Sequence, residues 1–158
     1  MKEKADIIIH HIDKTNPAFE FIPFCQVEVI PVCAPKFFNS PITSSTNYND
    51  INEYTQCIIR DSASNDRLRQ NHFVNRSSTH ITVGDQQTKK QVILQSMAWG
   101  HMPNFLIDEE LKSKTLISIE GKFIQKHIRD IVVARRNSPV HGKMLNKLWG
   151  YFTNINPT

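Results

Sequence analysis

Short apolar runs, set apart by polar stretches, predict the elements of this chain. ADIIIHHID (5–13) is an apolar run that ends in polar residues, the pattern of a buried strand. FCQVEVIPVCAP (24–35) alternates apolar and polar residues and predicts a second strand, with Pro31 marking an edge or a bulge. TQCIIRD (55–61), NRSSTHITVGD (75–85, closing at Gly84), the compact WGHMP (99–103), TLISIEG (115–121) and HIRDIVVARR (127–136) also read as strands. Successive strand residues point to opposite faces, so His10 and His11 are not expected to chelate one metal together.

Three segments follow helical spacing instead. QQTKKQVILQSMA (86–98) places Val92, Ile93 and Met97 on one face, and Asp85 before it is suited to accept the free amides of a first turn. NFLIDEELKSK (104–114) offers Asn104 or a neighbour as its cap. SPVHGKMLNKLWGYF opens on a proline near a first-turn position and repeats Met144, Leu145, Leu148 and Phe152. NSPITSSTNYNDINEY (39–54) is the best linker candidate, with a single helical turn expected at its close, while SASNDRLRQNHF (62–73) reads as loop or short helix. The order β, β, β, β, α, β, α, β, β, α implies an α/β class.

Composition narrows the function classes. The 158 residues are 39% hydrophobic with five glycines, which is a globular composition. The longest apolar runs are far too short to span a bilayer, and the charged start MKEKAD leads straight into a strand without a secretory signal, which favours the cytoplasm. The net charge of +4 is scattered, with small clusters at 67–69 and 134–136, so basicity by itself supports no nucleic-acid surface. Cys25 and Cys33 lie in one extended run, roughly 26 Å apart at strand rise, too far for a disulfide. Reduced thiols fit best.

The motifs for several chemistries are missing. The glycines form no phosphate loop, there is no C-x-x-C or H-E-x-x-H, and the seven histidines are dispersed, so no cofactor and no metal site is expected. Cys57 or Ser62 could serve a small hydrolase, but neither has a matched base or a nucleophile elbow. Cys57 as an oxidant sensor would need exposure and a depressed pKa; its plainer reading is a small buried residue on a strand. Asn75-Arg76-Ser77 has the form of a glycosylation sequon, which means nothing without secretion. Trp99 is large enough to bury about 150–250 Å², worth roughly 4–6 kcal/mol before entropy, whether in a core or lining a cleft.

Positions 84–119 resemble the effector-binding domain of LysR-type transcriptional regulators. In that family a strand leads to D…T opening a helix, then A-G-L-G-[WVI]-[GA]-x-[LM]-P, a second helix, and L…G-x-L-[VI]-x-[LI]. Here the series is VGDQQTKKQVILQSMAWGHMPNFLIDEELKSKTLISI, with Ser96 and Ala98 in place of the two usual glycines. ADIIIHHID and VEVIPVCAPKFF resemble strands of the first lobe, and RDIVVARRNSPVHGKMLNKLWGYF the closing strand and C-terminal helix. The resemblance covers nearly the whole chain.

It implies an α/β fold like that of type 2 periplasmic binding proteins: two lobes with mixed sheets, the first incomplete. Residues 1–40 and 122–158 would form partial lobe I, and 41–121 lobe II. The family's winged helix-turn-helix, linker helix and first βαβ have no counterpart, so the resemblance implies an N-terminally truncated member that does not contact operator DNA by the family's mode. It implies a non-enzymatic sensor of a small effector, working as a dimer or tetramer in the full-length regulator. A solute-binding receptor of the same fold is the alternative. The implied effector site takes Asp85, Gln86, Gln87 and Thr88 at a helix N-terminus, Ser62 and Ser64 from a neighbouring loop, His11 at the hinge, and Trp99 with Met102 as an apolar floor. Unpaired helix amides there would favour an anionic metabolite.

Overall fold

The computed structural model describes residues 5–11, 15–60 and 74–155. Its elements are β1 (Ile7–His10), β2 (Phe19–Cys33), β3 (Gln56–Ile59), β4 (His80–Val83), α1 (Gln86–Leu94), β5 (Gly100–Pro103), α2 (Asp108–Ser113), β6 (Ile117–Ser118), β7 (His127–Arg136) and α3 (Lys143–Ile155). The order is the expected one. The chain divides into two units, Met1–Val27 with Ile128–Thr158 (unit 1) and Glu28–His127 (unit 2). It passes from one to the other within β2 and again within β7.

In unit 2, β3 and β4 run parallel, from Gln56↔His80 to Ile59↔Val83. A parallel bridge joins Gln56 to Trp99, and the Cys57 amide donates to the Trp99 carbonyl at 2.8 Å, so the approach to β5 lies beside β3. The far half of β2 pairs antiparallel with β5 and, at its end, with β6. Pro31 sits inside this strand opposite His101; it has no amide to donate, but its carbonyl accepts from Ile119.

The strand period separates two packed clusters. Met102 joins Val32, Cys57, Ile93, Ala98, Ile107 and Leu116, whereas Trp99 joins Cys33, Ile51, Ile119 and Ile124. Residues 99 and 102 differ by an odd number, so a pleated strand sends them to opposite faces. Gly100 shares the Met102 face: a Cβ there would lie 2.9 Å from the Cys57 carbonyl oxygen and 3.0 Å from Lys89 Cε. Only a residue without a side chain lets α1 and β3 come this close.

Several boundaries differ from the sequence reading. β4 begins at His80 because Asn75 organises a polar turn before it: its amide donates to Gln56 Oε1 at 2.8 Å, and its side-chain nitrogen lies within reach of Asn52 Oδ1 and Ser78 Oγ. α1 stops at Leu94 rather than 98. Ser96 adopts φ 56°, its amide donates to Ile93 O, and the Met97 amide donates to Val92 O. That pair of bonds is a Schellman cap, made here by a serine where glycine is the usual choice. Asn104 opens a short 3-10 turn, Asn104–Leu106, and α2 starts after Ile107 without a side-chain cap.

In unit 1, β1 pairs antiparallel with β7, from Ile7↔Arg135 to His10↔Val132. Arg135 binds Glu20 through Nε at 2.7 Å and Nη2 at 2.6 Å and lies 4.2 Å from the centre of the Trp149 ring on α3. Phe152 meets Phe24 edge to face, with centroids 5.9 Å apart. Because β1 ends at His10, strand alternation does not extend to His11, and the two imidazole centroids lie 4.2 Å apart.

Candidate functional site

The N-terminus of α1 gathers four of the residues singled out in the sequence. Asp85 is extended (φ −151°, ψ 167°) and caps the helix: Oδ1 accepts from the Thr88 amide and Oδ2 from the Thr88 hydroxyl, both at 2.8 Å. These bonds, the backbone amide first, hold the Asp85 carboxyl below its usual range. Gln87 and Thr88 are exposed. Gln86 is half-buried, and its Oε1 is a buried acceptor without a hydrogen-bond partner. An unsatisfied acceptor of this kind is costly unless a donor reaches it.

The cap changes the electrostatic reading. The positive end of the helix already carries a carboxylate of its own, which repels a second anion. The group this corner lacks is a hydrogen-bond donor aimed at Gln86 Oε1.

Just inside the corner lies Lys89, a residue the sequence reading passed over. It is 6% exposed, and burial pushes its amine down to about 8, offset only in part by the Cys57 thiol. The signal was present in the chain, since Lys89 stands four residues before Ile93 and therefore on the same helix face. Next to it, Lys90 ties α1 to α2, with Nζ 2.7 Å from the Leu106 carbonyl and 2.5 Å from Glu110 Oε1.

Trp99 and Met102 are both fully buried and occupy the two separate clusters, so the fold does not bring them together as one floor. His11 is exposed and belongs to unit 1. Ser62 and Ser64 lie outside the described residues. Cys57 is fully buried, and burial raises its thiol, the reverse of what a nucleophile or an oxidant sensor requires.

Solved structures share this fold. The bromide-bound regulatory domain of HypT from Salmonella typhimurium is similar at 15% identity and a TM-score of 0.68, over 96% of this chain and 72% of that one. Full-length LysG from Corynebacterium glutamicum with bound effector Arg is similar at 12% identity and a TM-score of 0.65, over 94% of this chain and 50% of that one. Vibrio fischeri DarR in complex with DNA is similar at 17% identity and 0.65, over 96% and 51%. The chain thus spans about half the length of the LysG and DarR chains. No curated protein sequence matches it. Among the described residues, no helix is long and apolar enough to cross a membrane. The family model described as the LysR substrate binding domain matches residues 1–154, and the chain belongs to that family, the effector-binding domains of LysR-type transcriptional regulators.

Proposed function

We propose that this chain is the ligand-sensing part of a cytoplasmic LysR-type regulator. Unit 1 falls within the proposed partial lobe I (1–40 and 122–158), unit 2 includes the proposed lobe II (41–121), and the effector is a small polar metabolite. The observation that carries the reading is the α1 N-terminus: a rigidly capped corner with Gln87 and Thr88 exposed and the Gln86 Oε1 acceptor unsatisfied. An effector bearing an amine or hydroxyl donor satisfies that acceptor. Ser62 and Ser64 follow β3 in the chain and supply further hydroxyls. Binding acts on the regulator only through a difference in affinity between its conformational states. DNA is contacted by a winged helix-turn-helix outside this sequence.

We further propose that copies of the chain associate through residues 6–12. Among the described residues β1 pairs on one side only, and Ile9 is 48% exposed, so an open apolar edge faces a possible second copy. Light scattering across a concentration series tests this: a mass that rises toward the dimer supports it, and a constant monomer mass contradicts it.

A thermal-shift screen of amino acids, hydroxy acids and simple carboxylates identifies the effector class, and calorimetry then tests the site. The hit loses at least about tenfold in affinity, or 1.4 kcal/mol, in Gln86→Ala, with smaller losses in Gln87→Ala and Ser62→Ala. Unchanged affinity in all three removes the assignment.

A further inference from the structure

We propose that unit 2 holds a second ligand site, separate from the α1 corner, which takes an amino acid with an apolar side chain in its zwitterionic form. The site is a cavity of about 640 Å³ walled by residues 33–44 and 117–120. That size lies within the range of small-molecule sites. None of Asp85, Gln86, Gln87 or Thr88 lines it, and every lining residue belongs to unit 2.

Its walls are fixed rather than collapsed. Phe37, Phe38 and Tyr54 pack with ring centroids 4.7–5.7 Å apart, and the Tyr54 hydroxyl accepts from the Asn39 amide at 3.0 Å. Opposite, a Cβ on Gly121 would lie 2.8 Å from the Ser44 carbonyl oxygen, and the Lys122 amide donates to that oxygen at 2.8 Å. The loop carrying Ser44 is therefore held close to the segment after β6.

Its lining joins two opposite charges to an apolar surface. Lys36 and Glu120 both line the cavity and are exposed, and no ion pair joins them; Glu120 also lies near enough to Lys126 to help raise that amine, behind the main partner Glu28. Lys36 also holds a left-handed backbone, φ 63°, a conformation that a residue with a Cβ adopts only where its surroundings impose it. Phe37, Ile42 and Ile117 supply the apolar wall. A ligand carboxylate placed at Lys36, an ammonium at Glu120 and a hydrocarbon side chain between them match all three features.

Saturation-transfer NMR and calorimetry with L-leucine, L-methionine and L-phenylalanine test the site. At least one of them binds saturably, and its amide and its deaminated acid, each lacking one charge, bind at least tenfold more weakly. Lys36→Gln and Glu120→Gln each weaken the amino acid by a similar factor with no change in Tm, since both side chains are exposed. The proposal is overturned if none of the three binds, if the singly charged relatives bind as well, or if neither cavity variant alters the affinity. Loss of binding in Gln86→Ala at the α1 corner, by contrast, bears only on the effector site.

Discussion

Unit 2 and unit 1 solve the burial problem to different extents. Unit 2 completely buries Cys57, Ile93, Trp99, Met102, Ile107 and Ile124 in two clusters on opposite sides of β5. Among the described residues of unit 1, the buried apolar ones are Ile22, Val132, Val133 and Ala134. Its helix α3 shows where the difference arises. At 100° per residue, Tyr151, Met144, Ile155, Leu148, Phe152, Leu145 and Trp149 fall within one arc of about 160°. Leu145, Trp149 and Phe152 are half-buried, whereas Met144 is 76% and Tyr151 61% exposed. Amphipathic patterning specifies a helix and its inner side, but it does not guarantee that the whole apolar arc finds a partner.

The sharpest way to break this comparison is to truncate one residue from each unit. Ile93→Ala leaves a cavity in a closed cluster and costs about 3–4 kcal/mol, whereas Met144→Ala stays within about 0.5 kcal/mol. Urea unfolding measures both, and equal costs would erase the distinction. Next in size is Lys89→Met. Burial pushes the folded-state amine down to about 8 from its ordinary 10.5, so between those values the unfolded chain binds more protons. The wild type therefore gains stability as pH rises from 8 toward 10.5, and at pH 7 it bears the full cost of the buried charge. The methionine variant is more stable by about 2–3 kcal/mol at pH 7, and its advantage shrinks toward pH 10.5. Parallel stability-versus-pH curves for the two proteins would rule this out. The smallest effect belongs to Ser96→Gly, which relieves a left-handed serine and raises stability by about 1 kcal/mol, read as a rise in Tm; a fall would mean that the serine side chain is needed there.

Much of this architecture was legible along the chain. The element order, the Asp85 cap and the short β5 strand follow from local signals, because each depends on residues within one turn or one pleat. The sequence reading joined Trp99 and Met102 in one floor, although strand parity alone puts them on opposite faces, where the two clusters hold them. The start of α2 was not legible. Asn104 is a good capping residue, but it was drawn into a 3-10 turn directly after Pro103, and Ile107 begins the helix without a cap of its own. Asn75 was least visible, because its partners Gln56, Asn52 and Tyr48 lie 19 to 27 residues away and meet only in the folded chain. The α1 corner was found from helix-start signals, but its charge balance depends on how the Asp85 carboxylate is used, which spacing does not reveal. The Lys36–Glu120 cavity joins segments about eighty residues apart, and no local pattern marks it.

Native-state hydrogen exchange tests the central contrast between the units most directly. The account predicts that amides of β3, β5 and α1 exchange only through global unfolding, while those of β1 and α3 exchange about a hundredfold faster or more through local opening. Protection in α3 equal to that in α1 would contradict it.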